Sequence, residues 1–206
     1  MKLTLIGPQG CGKGTQAELI NKEFGIPTYS TGELLREEKK KGTSFGKEIT
    51  AIMDKGELVS DEIITKLVKN SIKEKKDYIL DGFPRNLKQV KLAEENNIIF
   101  DKALYLTISD KTVMARLKGR ETCRNCGRVY HVKLKKPKVK GKCDFCNGEL
   151  YIRDDDTETA IKRRLEIYKK ETEPIIYYFD KKGILIKIDA EREIKEIFED
   201  VKEVLV

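Results

Sequence analysis

The sequence predicts an α/β protein whose parallel sheet is covered by helices, and three observations carry that prediction. Short β-prone runs alternate with longer amphipathic ones, the rhythm of repeated strand–helix units. The first such run passes through a glycine-rich loop into a helical pattern. Two segments, 31–60 and 120–156, interrupt the alternation without ending it.

Taken in order, Lys2–Ile6 is apolar and β-prone, the following glycines form a turn, and a helix is expected from Lys13 onward. A weaker strand is expected at 27–30. The segment 31–60, rich in Lys, Glu and Gly, reads as a helical insertion. Helical periodicity returns over 61–75, followed by the apolar strand Tyr78–Asp81 and a helix over 88–96. The strand 103–108 leads to a helix at Asp110–Lys118. The insertion 120–156 is rich in Cys and Lys, with β-prone pieces such as Arg128-Val129-Tyr130-His131-Val132. A helix over 157–170, a strand at 184–188 and a helix over 191–205 complete the pattern, with no internal repeat or low-complexity linker. The core is accordingly expected from 1–30, 61–119 and 157–206.

Of the 206 residues, 39% are hydrophobic and 37% charged, and no apolar run approaches the ~20 residues of a membrane helix. The apolar stretch after Met1 is too short for a secretory signal and ends in the glycine loop, so a cytoplasmic protein is expected. A net charge of +7 raises the question of a polyanionic partner, but acidic residues are interleaved almost throughout, and no nucleic-acid partner is expected. The division of the cations is more informative: 32 are Lys and 10 are Arg, and seven of the arginines fall between Arg116 and Arg164. Arg grips phosphate oxygens with a planar fork, whereas Lys is a hydrated point charge suited to open surface.

The segment Gly7-Pro8-Gln9-Gly10-Cys11-Gly12-Lys13-Gly14-Thr15 follows a strand and opens a helix, the setting in which a phosphate-binding P-loop pattern has weight. Its glycines let the backbone wrap an anion, successive N–H groups and the helix N-terminus face the phosphates, and Lys13 adds a charge. The usual pattern puts Ser or Thr directly after the lysine; here Gly14 intervenes before Thr15. Asp81 ends an apolar strand at the sheet's C-terminal edge, where open α/β sheets bind ligands, and is expected to hold Mg²⁺ through water.

Cys123-x-x-Cys126 and Cys143-x-x-Cys146, sixteen residues apart, have the spacing of a tetrahedral zinc site. Four thiolates leave no open coordination position, so the metal is expected to be structural, replacing a core that a small lobe cannot build. Iron fits the same spacing. Cys11 has no partner nearby in sequence and is expected to pack within the loop, and the lone histidine, His131, is expected to be structural.

The phosphate loop, together with Ser30-Thr31-Gly32, Asp81-Gly82-Phe83-Pro84-Arg85 and Gly119-Arg120, resembles the adenylate kinases of the nucleoside-monophosphate kinase family, over essentially the whole chain. Gly127-Arg128-Val129-Tyr130-His131 is similar to the lid strand of their long bacterial form. The resemblance implies a P-loop five-stranded parallel sheet with helices on both faces, a helical monophosphate-binding lobe at 31–60 and a zinc-stapled lid at 120–156. It implies Mg-dependent phosphoryl transfer from ATP to AMP, giving two ADP, by a monomer. ATP would be held by Gly10, Cys11, Gly12, Lys13, Gly14, Thr15, Arg116, Arg120, Val129 and Tyr130. AMP would be held by Thr31, Arg36, the stretch Glu57, Leu58 and Val59, Gly82, Arg85, Gln89, Arg153 and Arg164. Lys13, Arg85, Arg120, Arg153 and Arg164 would carry the catalysis. Arg116 and Arg120, four apart, would share one helix face. Arg124, Arg128, Arg163 and Arg192 read as surface ion pairs, while Asp155 and Asp156 resemble the family's acids at the lid hinge. Two other readings remain: a UMP/CMP kinase, and a P-loop ATPase whose zinc ribbon binds nucleic acid or protein.

Overall fold

Alternation of apolar side chains along each central strand decides the layering. In the computed structural model, which describes residues 1–54, 59–153 and 156–205, five strands form one parallel sheet. They are β1 (Lys2–Ile6), β2 (Thr28–Ser30), β3 (Tyr78–Asp81), β4 (Lys102–Thr107) and β8 (Leu185–Asp189), in the order β2-β3-β1-β4-β8. Leu3, Leu5, Ile79, Leu104 and Leu106 point to one face and pack with α1 (Lys13–Phe24) and α9 (Ile194–Leu205) through Ala17, Ile20, Ile197 and Val201. The alternate residues Ile6, Leu80 and Ala103 point to the other face. There they meet α4 (Asp61–Ser71), α5 (Leu87–Glu95) and α8 (Glu173–Lys181) through Val68, Val90, Ile175 and Phe179. Burying each such side chain contributes about 1.5–3 kcal/mol, so both faces are needed to hold the sheet. Thr4, polar on a buried strand, is satisfied by donating to the carbonyl of Phe83 at 2.8 Å.

The first insertion forms α2 (Thr31–Lys41) and α3 (Ser44–Asp54); Glu57 and Leu58 lie outside the described residues. The second follows α6 (Asp110–Lys118). It is a small antiparallel sheet of β5 (Arg120–Cys123), β6 (Val129–His131) and β7 (Leu150–Tyr151) in the order β6-β5-β7, leading to α7 (Glu158–Ile167). Side-chain caps set several helix starts: Ser60, Asn86, Ser109 and Thr157 each accept from the N–H three residues on. Among the described residues, no helix is long and apolar enough to cross a membrane.

The structure departs from the sequence expectation in four places. The helix expected over 61–75 ends at Ser71, because Glu74 adopts a left-handed conformation (φ 64°) that closes the turn. The helix expected over 191–205 starts only at Ile194, Glu191 being drawn off to the start of α6. The helix expected over 157–170 is α7 followed by a π-helical turn, Tyr168–Thr172, that feeds α8, an element the sequence reading lacked. An inserted π turn shifts the 3.6-residue pattern, so the apolar positions on either side do not read as one face. Lastly, Arg116 and Arg120 do not share a helix: α6 ends at Lys118, capped by Gly119, and Arg120 opens β5.

Candidate active site

Because β1 is flanked by β3 and β4, the chain leaves β1 in one direction across the sheet and returns in the other. That topological switch places the loops after β1 and β3 in one crevice at the sheet's C-terminal edge. The crevice is a cleft of about 1250 Å³. Its floor is the glycine loop, which wraps around the start of α1 with Gly7, Gly10 and Gly12 all at positive φ. At Gly10 the need is steric as well, since a Cβ would meet Leu117 at 2.9 Å. Lys13 folds over the loop and donates to the carbonyls of Gly7 (2.8 Å) and Pro8 (3.0 Å). Cys11 is buried beneath, and burial pushes its thiol up against the opposing pull of Lys13, making it a packing group as expected.

Asp81 ends β3 beside the first turn of α1, with Oδ2 3.7 Å from where a Cβ on Gly14 would stand. A side chain at 14 would narrow the space between carboxylate and loop, and glycine keeps it open. That acid faces the phosphate-loop helix from the strand edge, a donor set that fits Mg²⁺ held through water. Directly after it, Gly82 (φ 82°) turns the chain so that Arg85 Nε donates to the Gly82 carbonyl at 2.9 Å, and Thr31 Oγ1 donates to the same oxygen at 3.1 Å. Behind Arg85, buried Gln89 accepts from the Arg85 N–H (2.7 Å) and donates to Asp61 (2.7 Å). Gln89 and Thr31 thus brace the arginine from outside the cleft lining.

Six arginines expected at the site, Arg36, Arg85, Arg116, Arg120, Arg153 and Arg164, all line this cleft, although they come from three helices, one strand and two loops, spread over the core and both insertions. Arg116 donates to the Cys11 carbonyl at 3.4 Å, tying α6 to the phosphate loop. Arg120 grips Asp156 with Nε at 2.7 Å and Nη2 at 2.5 Å, and Arg164 approaches the same carboxylate at 3.6 Å. Arg153 is oriented by Thr122 Oγ1 at 2.9 Å. Glu33, on α2, also lines the cleft; burial raises its pKa, with Arg36 and Arg153 opposing.

In the second insertion, the sulfurs of Cys123, Cys126, Cys143 and Cys146 all lie within 4.8 Å of one another. Cys123–Cys146 and Cys126–Cys143 stand at 3.4 and 3.6 Å, too long for a disulfide at ~2.05 Å and near the ~3.8 Å edge of a tetrahedron with 2.3 Å Zn–S bonds. Each pair sits on the same turn. The N–H of Gly127 bonds the Cys123 carbonyl (3.0 Å) and that of Asn147 the Cys143 carbonyl (2.8 Å), both residues at positive φ. Burial opposes ionisation of Cys143, but the Tyr130 hydroxyl and the N–H groups of Cys146 and Phe145 outweigh it and hold the thiol at about 6. Four sulfurs this close carry full charge together only around a cation, and the set fits a structural zinc ion. Tyr130, Cys123, Cys143 and Leu150 are the whole buried core of this lobe among the described residues.

A family model for adenylate kinase matches residues 5–184. The chain is 46% identical to an adenylate kinase of Thermodesulfovibrio yellowstonii, over 100% of this chain and 99% of the relative. It is 44% identical to one of Methanocella arvoryzae (98% and 97%) and 43% identical to one of Archaeoglobus fulgidus (100% and 98%). The chain belongs to the adenylate kinase family. That family is one of nucleoside-monophosphate phosphotransferases, and the chain is one of them.

Of the residues the adenylate kinase resemblance selects, Gly10, Cys11, Gly12, Lys13, Gly14, Thr15, Asp81, Gly82, Val129 and Tyr130 line the cleft with the six arginines. Val59, half-buried, lies outside that lining together with the buried Thr31 and Gln89, and Asp155 lies outside the described residues. Tyr130 turns its hydroxyl toward the cysteine cluster, 3.4 Å from Cys143 Sγ, so that group is held by the lobe's own core. His131 has a structural setting: Nδ1 accepts from the N–H groups of Lys133 and Leu134, and the ring packs against Gly119. Sequence reasoning missed Glu33, one of three glutamates on α2, with no spacing signal to separate it from solvated surface.

Proposed function

We propose that this member of the adenylate kinase family transfers the γ-phosphoryl group of Mg-bound ATP to AMP, reversibly, giving two ADP. One observation supports it most directly: the phosphate loop, the Asp81-to-Arg85 turn and six arginines from separated parts of the chain converge on one cleft. In this reading 31–60 is the AMP-binding lobe, 120–156 the zinc-stapled lid, and the remainder the core.

An AMP phosphate is already anionic at neutral pH, so the nucleophile needs no general base, and none of the lining residues has to supply one. The barrier is repulsion between two anions together with charge spread over the transferring group. Loop N–H groups and Lys13 would hold the β- and γ-phosphates of ATP, with Arg116 and Arg120 alongside. Arg36 and Arg85 would clamp the AMP phosphate, Arg85 being aimed by Gly82, Thr31 and Gln89. Arg153 and Arg164 would approach the transferring group from the lid side. Asp81 would hold Mg²⁺ through water, and the ion would supply neutralisation of the phosphate oxygens. Covering the cleft excludes water, which strengthens these contacts and suppresses hydrolysis.

The test is ADP formation from Mg-ATP with AMP, UMP, CMP, GMP or no acceptor. Turnover with AMP far above the others is the expected result. Preference for UMP or CMP would keep the mechanism and overturn the acceptor assignment, and turnover without any acceptor would overturn the transfer reading.

A further inference from the structure

Outside the cleft, one carboxylate of the core takes two cations from the lid. Glu18 lies on α1, one turn beyond Thr15, on the side away from buried Ala17 and Ile20. Its Oε1 receives Arg128 Nη2 at 2.8 Å and its Oε2 receives Lys135 Nζ at 3.2 Å. The two cations are presented together by the lid itself: Arg128 immediately precedes β6, and Lys135 is brought back beside that strand by the pairing of His131 N–H with the Lys135 carbonyl at 2.9 Å. Arg128 is backed in turn by the ring of Phe145, 4.3 Å from its guanidinium carbon, and Phe145 lies inside the second cysteine pair. The metal-binding turn thus presses the arginine toward the core.

We propose that Glu18 is a positioning residue for phosphoryl transfer: by drawing Arg128 and Lys135 onto α1, it holds the lid where Arg120 and the backbone of Val129 and Tyr130 meet ATP. This rests on the phosphoryl-transfer reading above. Of the three, only Lys135 lines the cleft; Glu18 and Arg128 lie outside that lining, and Glu18 touches no group assigned to substrate. It acts on the population of the closed lid, so its loss weakens ATP binding without removing a contact to ATP. The three side chains are 32–40% exposed, which sets the scale. Exposed pairs of this kind contribute up to about fivefold each, and because both share the Glu18 carboxylate they do not multiply in full, so the two together are worth roughly two- to tenfold in ATP affinity.

The experiment compares wild type with Glu18→Gln, Glu18→Lys, and the double exchange Glu18→Lys with Arg128→Glu. KM for ATP, KM for AMP and kcat are measured at low and high salt, alongside ATP affinity by calorimetry and melting temperature. Glu18→Gln is expected to raise KM and Kd for ATP about two- to tenfold, to leave kcat undiminished, and to narrow toward wild type at ~0.5 M salt, where surface charges are screened. Glu18→Lys is expected to be worse, and the double exchange to recover most of the loss. A lowered melting temperature with unchanged ATP affinity would mean a merely structural ion pair, and would overturn the proposal. So would a loss that the double exchange fails to recover. Wild type that binds ATP but does not phosphorylate AMP would overturn the transfer reading instead, and the calorimetric comparison would still decide the role of Glu18.

Discussion

Asp156 accepts both nitrogens on one side of Arg120, Nε at 2.7 Å and Nη2 at 2.5 Å, with its own side chain fully buried. Arg164 stands 3.6 Å from the same carboxylate, so one acid neutralises two cleft arginines drawn from β5 and α7. Removing a partner from a buried pair leaves uncompensated charge, at a cost of several kcal/mol. Asp156→Ala is therefore expected to destabilise the fold by about 3 kcal/mol in urea unfolding, and Asp156→Asn by less, since the amide oxygen still accepts from Arg120. Equal stability of wild type and Asp156→Ala would remove this pair from the account of how the arginines are held.

Lys13 spends its hydrogen bonds on the loop carbonyls of Gly7 and Pro8, and it is only half-buried, so little of the fold depends on it. Lys13→Met is expected to lower kcat by about 10²- to 10³-fold, the usual cost of losing one preorganised charge donor at a transition state. Its urea midpoint should stay near that of wild type. Turnover within tenfold of wild type in the folded variant would contradict the role given to the loop.

The cysteine lobe buries only Cys123, Tyr130, Cys143 and Leu150 as its core among the described residues, too little to hold three short strands by apolar contact alone. Cys126→Ser, or prolonged chelation, is expected to lower the melting temperature by several degrees. At about 2–4 °C per kcal/mol for a chain of this size, a shift of 10 °C corresponds to roughly 3 kcal/mol. Activity should fall off at a correspondingly lower temperature. A metal-free protein of unchanged melting temperature would exclude the stapling role.

Glu191 has its pKa lowered to about 2 by the hydroxyls of Thr112 and Ser109 and by the Ser109 N–H. A carboxyl whose folded pKa lies below its unfolded value contributes stability above the unfolded pKa and loses it as pH falls through the folded one. The contribution is therefore complete above about pH 5 and declines toward pH 2. Glu191→Gln is expected to flatten part of the acid limb of a stability–pH profile and leave the curve above pH 6 parallel to wild type. An acid limb of unchanged slope would show that these bonds do not persist in solution.

The strands were legible because each carries its own signal: β1, β3 and β4 are apolar runs bounded by glycine or charge. The phosphate loop was legible because its chemistry demands a fixed spacing. The cysteine pairs were legible for the same reason, as metal geometry is written into two short turns. What escaped had no local signature. A single π turn hid α8 by breaking the periodicity, and Gly119, by capping α6, moved Arg120 from helix to strand without altering its place in the cleft. Thr31 and Gln89, marked by resemblance for the acceptor pocket, also brace Arg85, a contact that depends on which side of a turn each side chain lies and so leaves no mark in the sequence. Glu18 could not be found from sequence at all, its two partners lying 110 and 117 residues away.

The cysteine-bearing insertion leaves the core and rejoins it at neighbouring points. Its first strand, β5, and its last, β7, are paired with each other, Thr122 beside Tyr151 and Cys123 beside Leu150, so the chain departs and comes back through adjacent positions. All that lies between hangs from a two-stranded stem. The core sheet therefore sees only a pair of neighbouring chain ends, and a tight turn joining Cys123 to Leu150 would meet the same boundary condition. Such a stem makes the distal part an exchangeable module. Its length, metal content and surface charge can drift, or be redesigned, without any hydrogen bond of the central sheet having to change.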